Sequence, residues 1–170
     1  MQSTVVTKKW SEIKGLAAVT IDTGKKVGTV EDFYLDTETH AILGFAIKTG
    51  LLHHRILLLA SVNGIGTDAL TFVSEDALLK DEKSLNVALK GKDVLSYRVL
   101  SEGGTVMGTV GDVVFSIALP QSINISSFEL SRSIRERFSN HFSSFESQQV
   151  MSYGQDVLVI PDVVAEELAK

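Results

Sequence analysis

Cysteine is absent from the 170 residues. Its absence excludes a disulfide framework, thiol nucleophiles, and zinc or iron–sulfur centres ligated by thiolates. Proline occurs only twice, apolar residues make up 44% and charged residues 22%, which excludes a disordered or fibrous chain. A basic excess is missing as well. Sixteen Lys and Arg stand against 21 Asp and Glu, for a net charge of -5. Nucleic-acid affinity rests on clustered Lys and Arg against phosphate, so this balance argues against a dedicated nucleic-acid binder. Apolar runs are short. The strongest, residues 56–60 and 113–119, fall far below the ~20 residues of a spanning helix. Lys8 and Lys9 precede Trp10 with no apolar stretch after them, so no secretory signal is expected and the cytosol is the expected location. A chain of this length buries about 70% of the surface its unfolded form exposes and needs no metal or cross-link to fold.

Catalytic signatures are lacking too. No Gly-x-Ser-x-Gly occurs, and neither Gly103-Gly104 nor Gly64-Ile65-Gly66 has the spacing of a phosphate loop or dinucleotide fingerprint. His53 and His54 are adjacent, with His40 and His141 far away in sequence. Neighbouring strand residues point to opposite faces, so the pair is a poor chelate and reads as part of a polar hairpin between Thr49 and Arg55. No catalytic residue, cofactor site or metal site is expected.

What is present is a strand pattern. Val, Ile, Leu, Phe and Thr gather in residues 16–21, 26–35, 41–48, 55–60 and 69–73. Asp22-Thr23-Gly24-Lys25 and Asp36-Thr37-Glu38-Thr39 read as turns between them. Spacing of roughly 8–12 residues predicts antiparallel strands in a sandwich or barrel. Ser74 is the expected cap of a short helix over 74–79, and the polar residues 80–86 are the expected linker.

The chain also repeats. Ile13-Lys14-Gly15 matches Leu89-Lys90-Gly91, residues 28–33 match 108–113, and residues 66–70 match 154–158. Order is kept, which marks an internal duplication. In the central segment Val27, Phe33 and Leu35 share one parity and Val30 and Tyr34 the other, and both sets are matched at 107–115. A strand apolar on both faces bends and serves more than one surface, with Gly28 and Gly108 at a sharp coil or bulge. Asp32 and Asp112 follow these glycines at i+4. Neither has a His or Lys partner nearby in sequence. A short carboxylate accepting backbone N–H bonds is the expected role.

The order Trp10-Ser-Glu-Ile-Lys-Gly15, Asp22-Thr-Gly-Lys25, Val27-Gly-Thr-Val-Glu-Asp32 and Gly44-Phe-Ala-Ile-Lys48 resembles the PRC-barrel domain. That small β-barrel is shared by the photosynthetic reaction-centre H subunit and the C-terminal part of the ribosome maturation factor RimM. The second copy shows similar elements at Gly91, 108–112 and 152–161. The resemblance implies a binding or assembly module and carries over no active-site residue.

The second copy has one feature of its own. Ile134, Phe138, Phe142 and Phe145 recur at helical spacing, accompanied by Arg132, Arg135 and Arg137. An inserted helix over 131–145 is expected, either capping the second barrel or docking onto a partner. Near the end, residues 157–160 read as a final strand, with Asp162 capping a short helix over 163–169.

The expectation is therefore an all-β protein of two tandem small barrels with short capping helices, residues 8–80 and 87–170. Its expected role is a non-enzymatic adaptor for a protein partner, with a homodimer plausible from exposed edges and Phe138 or Phe142. The candidate interaction surface is Arg132, Arg135, Arg137, Phe138 and Phe142. The alternatives are an RNA-metabolism factor, suggested by the RimM resemblance, and a small-ligand binder between the barrels.

Overall fold

In the computed structural model, which describes residues 4–131 and 143–169, two seven-stranded sheets carry the fold. Strand β1 (Val6–Lys9) and the one-turn helix α1 (Trp10–Ile13) lead into β2 (Ala17–Thr20), β3 (Lys26–Leu35), β4 (Ile42–Lys48), β5 (His54–Leu58), β6 (Val62–Ile65) and β7 (Ala69–Phe72). The second half runs through β8 (Leu89–Lys90), α2 (Gly91–Val94), β9 (Arg98–Ser101), β10 (Val106–Ala118), β11 (Ser122–Ser131), β12 (Ser144–Glu146), β13 (Ser152–Tyr153) and β14 (Val157–Ile160). It ends with helix α3 (Asp162–Leu168). The fold is all-β, with only short helices among the described residues.

The two sheets share one plan. The first has the order β5-β4-β3-β2-β7-β6 and the second β12-β11-β10-β9-β14-β13. Each contains a single parallel pair, β2 with β7 and β9 with β14, among antiparallel ones. The expected closed barrels are corrected to open sheets. Consecutive strands β5 and β6 are joined by a short 3-10 turn at Leu59–Ser61 and stand at opposite ends of their sheet. The outer edge of β5 is capped instead by Leu79, through reciprocal Ile56–Leu79 backbone bonds of 2.8 and 2.9 Å.

The long central strands show why both parities are apolar. In β3 the register slips between Val30 and Asp32, and in β10 between Val110 and Asp112. The extra residue turns the chain over, so Val30 is buried on one parity and Phe33 and Leu35 on the other. Val110 is followed in the same way by Val113, Phe115 and Ile117. A second slip lies beside each motif glycine, where Ala18 pairs with Gly28 and Val99 with Gly108. A Cβ on Gly28 would stand 2.2 Å from the Lys48 carbonyl oxygen, and Gly108 has φ 149°. Both positions therefore exclude a side chain, for different reasons.

Two of the three repeat anchors are equivalent in space. The first is not. Its equivalent of α1 is α2, which aligns Trp10 with Gly91 and Ile13 with Val94 rather than Gly15 with Gly91. Short similar tripeptides concealed the offset.

The halves are interlocked by a reciprocal exchange. β1 pairs with β10 of the second sheet, with Val6 opposite Ile117 and Lys9 opposite Val114. β8 pairs with β3 of the first sheet, with Tyr34 opposite Lys90. The units expected at 8–80 and 87–170 each hold the strands of one sheet apart from this exchange. Buried side chains of both halves form one cluster, from Trp10 and Phe33 to Phe115 and Ile160. Trp10 meets Phe33 at 4.8 Å between ring centroids, and Phe33 meets Phe115 edge-on at 5.1 Å. Edge-on aromatic packing of this kind adds about 0.5–1.5 kcal/mol to the burial of each ring pair.

Several local readings need correction. Residues 75–77 form a 3-10 turn, and Ser74 makes no side-chain cap there. The expected linker holds a further 3-10 turn, Lys83–Leu85, with Leu85 buried. The cap residue of α3 is Pro161, and Asp162 is its first helical residue. The Asp162 carboxylate instead accepts from Gly103 N–H at 2.9 Å.

Candidate interaction surface

The recurring aspartates act across the exchange. Asp32 Oδ1 accepts from the N–H of Phe33 and of Lys92, each at 2.9 Å. Lys92 is the second residue of α2, so a carboxylate of the first sheet satisfies an otherwise unpartnered donor of the second half's helix. Asp112 mirrors it. Its Oδ1 accepts from Val113 N–H at 2.9 Å and from Ser11 N–H at 3.2 Å, and its Oδ2 from the Ser11 hydroxyl at 2.6 Å. Ser11 is the second residue of α1. Asp32 is 9% exposed, and burial raises its carboxyl above the ordinary value despite the two N–H bonds. Both carboxylates thus hold backbone across the junction. Their partners lie 60 and 101 residues away in sequence, beyond the reach of any local motif.

The exchange also brings unlike side chains to equivalent places. Trp10 and Gly91 both open their helices. A Cβ on Gly91 would meet the Phe33 ring at 2.3 Å. The residue equivalent to Phe33 in the second half is Val113. A large strand residue faces glycine in one copy, and a small one accompanies tryptophan in the other.

Two clefts flank the line where the sheets meet, marked by an isolated bridge between Ala41 and Asn124. The first is about 680 Å³ and mixed in lining, with Ala41, Leu43, Leu58, Leu59, Val87 and Ile123 beside Asp36 and Glu38. Val87 is 93% exposed. The second is about 690 Å³ and polar, with His40, Asn124, Ser126, Ser127, Glu146 and Gln148. His40 has φ 64°, unusual for a residue with a side chain. Its Nδ1 lies 2.8 Å from the Tyr153 hydroxyl. Burial lowers the His40 imidazole, Asp36 opposing, and raises the Tyr153 hydroxyl well above the usual phenol range. This contact joins the halves across 113 residues. The positive φ carries no sequence signal when the residue is histidine.

The Arg and Phe residues singled out in the sequence, Arg132, Arg135, Arg137, Phe138 and Phe142, lie outside the described residues, as do Ile134 and His141. Phe145 belongs to strand β12 rather than a helix, buried and stacked on Phe128 at 5.5 Å. Its helical spacing from Phe138 and Phe142 carried the expectation too far. His53 and His54 stand at the turn between β4 and β5. No group of three or more His, Asp or Glu capable of holding a metal occurs among the described residues. No described helix is long and apolar enough to cross a membrane.

A family model, the PRC-barrel domain, matches residues 6–70. The match begins with the first residue of β1 and ends inside β7. No curated protein matches the chain.

Proposed function

We propose, for a chain whose residues 6–70 match the PRC-barrel domain, that it works as a non-enzymatic adaptor, docking a protein segment at the junction of its two sheets. The second half is read as a second copy of the same unit. The carrying observation is the 680 Å³ cleft, whose apolar walls come from both halves, Val87 and Ile123 among them, and from Leu85 of the linker. Burying an apolar side chain there is worth about 25 cal/mol per Å² removed from water. A partner offering one or two aliphatic or aromatic anchors, with a cation toward Asp36 or Glu38, fits its chemistry. Cytosolic residence belongs to the same reading. Engagement of both recurring aspartates with backbone supports a structural rather than chemical use of the repeated motif.

Leu59→Arg combined with Val87→Glu tests it. Pull-down from lysate is expected to recover a stoichiometric protein with the parent chain and lose it with the variant, while the melting temperature stays close to the parent's. Recovery unaffected by the variant would remove this cleft from the reading. A second reading, a small apolar ligand in the same cleft, is favoured by its volume. It replaces the first if a metabolite raises the melting temperature and no protein is retained.

A further inference from the structure

The turn between β4 and β5 departs from ordinary turn chemistry. His53 N–H donates to the Gly50 carbonyl at 3.4 Å, and Thr49 N–H to the His53 carbonyl at 2.9 Å. Leu51 and Leu52 are therefore the two central residues of a tight turn, positions where Gly, Asn, Asp and Pro serve the backbone best. They are 86% and 85% exposed and contribute nothing to the core. A local rule broken without structural return marks a site of use.

The charged residues that flank this apex directly are basic. No Asp or Glu occurs between Glu38 and Asp68, although the chain as a whole is acidic. Lys48 and Arg55 flank the turn, and Thr49, Arg55, Lys25 and Lys26 line a polar hollow of about 490 Å³ beside it. Glu75 also lines the hollow and pairs with Lys25 at 3.0 Å. Lys26, Lys48 and Arg55 take part in no ion pair among the described residues. Glu31 lies in the β3 bulge and Asp22 and Asp76 in neighbouring loops. Pairing of Thr29 with Lys48, Val19 with Lys26, and Ile21 N–H with the Phe72 carbonyl puts all these loops at one end of the sheet. Ile21 and Val73 are exposed at that same end.

We propose that this end of the N-terminal sheet seats on the surface of an anionic lipid bilayer, with Leu51 and Leu52 entering the interface and the surrounding cations meeting lipid phosphates. The shape favours lipid over a protein partner. The apex is a two-residue turn with both leucines exposed, and a fluid bilayer admits such side chains without a preformed complementary pocket. Lys48 and Arg55 beside the turn and Lys26 across the hollow, none of them in an ion pair among the described residues, suit the negative surface of an anionic leaflet, with Asp22 and Asp76 opposing from the neighbouring loops. This goes beyond the adaptor reading and uses the opposite end of β4 and β5 from the junction cleft, so each can fail alone.

The test is co-sedimentation of the full chain with vesicles of phosphatidylcholine alone and of phosphatidylcholine mixed with phosphatidylglycerol, at low and high salt. Binding is expected only with the mixed vesicles and is expected to weaken at high salt. L51S/L52S is expected to lower the partition coefficient at least about tenfold with an unchanged melting temperature, because both side chains are already in water. K26Q/K48Q provides a second, independent variant and is expected to reduce binding and flatten its salt dependence. Absence of binding to mixed vesicles, equal binding to neutral ones, or binding that survives both variants overturns the proposal. Retention of a lysate protein through Leu51 and Leu52 without any vesicle binding overturns it in favour of a protein partner.

Discussion

The two halves build the same ladder from different side chains, and the junction shows how. Each sheet borrows a strand and a one-turn helix from the other half, and each helix is held by an aspartate of the sheet that receives it. Yet Trp10 opens one helix and Gly91 the other, and Phe33 in one strand answers to Val113 in its counterpart. The hydrogen-bonding plan at the shared core recurs in both halves, while the side chains that fill it differ. A backbone plan used in both halves constrains hydrogen bonds more tightly than it constrains packing, because a lost buried bond has no substitute and a lost methyl can be replaced from across the interface.

Breaking this asymmetry on its large side has the largest effect. Trp10→Ala removes the ring that meets both Phe33 and Phe115 and is expected to destabilise the chain by about 3–5 kcal/mol in urea unfolding. The small side comes next. Gly91→Ala forces a Cβ into the Phe33 ring and is expected to cost about 1–3 kcal/mol. Adding Phe33→Val, which imitates the second half, is expected to recover part of that loss, and a double-mutant cycle reads the coupling. Strict additivity would break the claim that the Phe33 ring fills the space left open by Gly91.

The aspartates sharpen the comparison further. Asp112→Ala frees the donors of Ser11 and Val113 and is expected to cost about 1–2 kcal/mol. Asp32→Ala is expected to cost about 1–3 kcal/mol, since its donors are more deeply buried. Asp32 also carries a pH signature. Burial raises its folded value above 3.8, so the folded chain holds this proton more tightly than the unfolded chain. The group favours folding most below 3.8 and loses that contribution as pH rises through the raised value. Asp32→Asn is expected to flatten that slope while leaving stability near neutral pH within about 1 kcal/mol of the parent.

The smallest effect is at the polar cleft. Burial lowers His40 below 6.5, so its contribution is full above 6.5 and is lost as pH falls through the lowered value. His40→Asn keeps a residue tolerant of positive φ. It is expected to remove that loss, with a change under about 1 kcal/mol at neutral pH. Thermal melts across the acidic range check both slopes.

Much of this plan was legible in the sequence. The glycine and aspartate anchors at 28–32 and 108–112, and at 66–68 and 154–156, lie at equivalent places because a strand that must bulge and a tight turn each leave a fixed local mark. The strand exchange left none. β1 and β8 are short and read equally well in either sheet, so their pairing is decided by the shared core and not by local pattern. Closure into barrels was over-read for a related reason: turns and alternation are local, whereas whether β5 meets β6 is not. The pairing of Asp32 with Lys92 and of Asp112 with Ser11 follows from the exchange and was hidden with it. Phe145 shows the opposite failure, a helical spacing that happened to run across a strand.

Because the chain contains no cysteine, one engineered pair reports on the exchange without background. Thr7 lies opposite Ser116 in the β1–β10 ladder. T7C/S116C, oxidised at low protein concentration and digested without reduction, is expected to give a disulfide-linked peptide pair within a single chain. Two free thiols, or linkage only between chains, would mean that the first strand does not complete the second sheet.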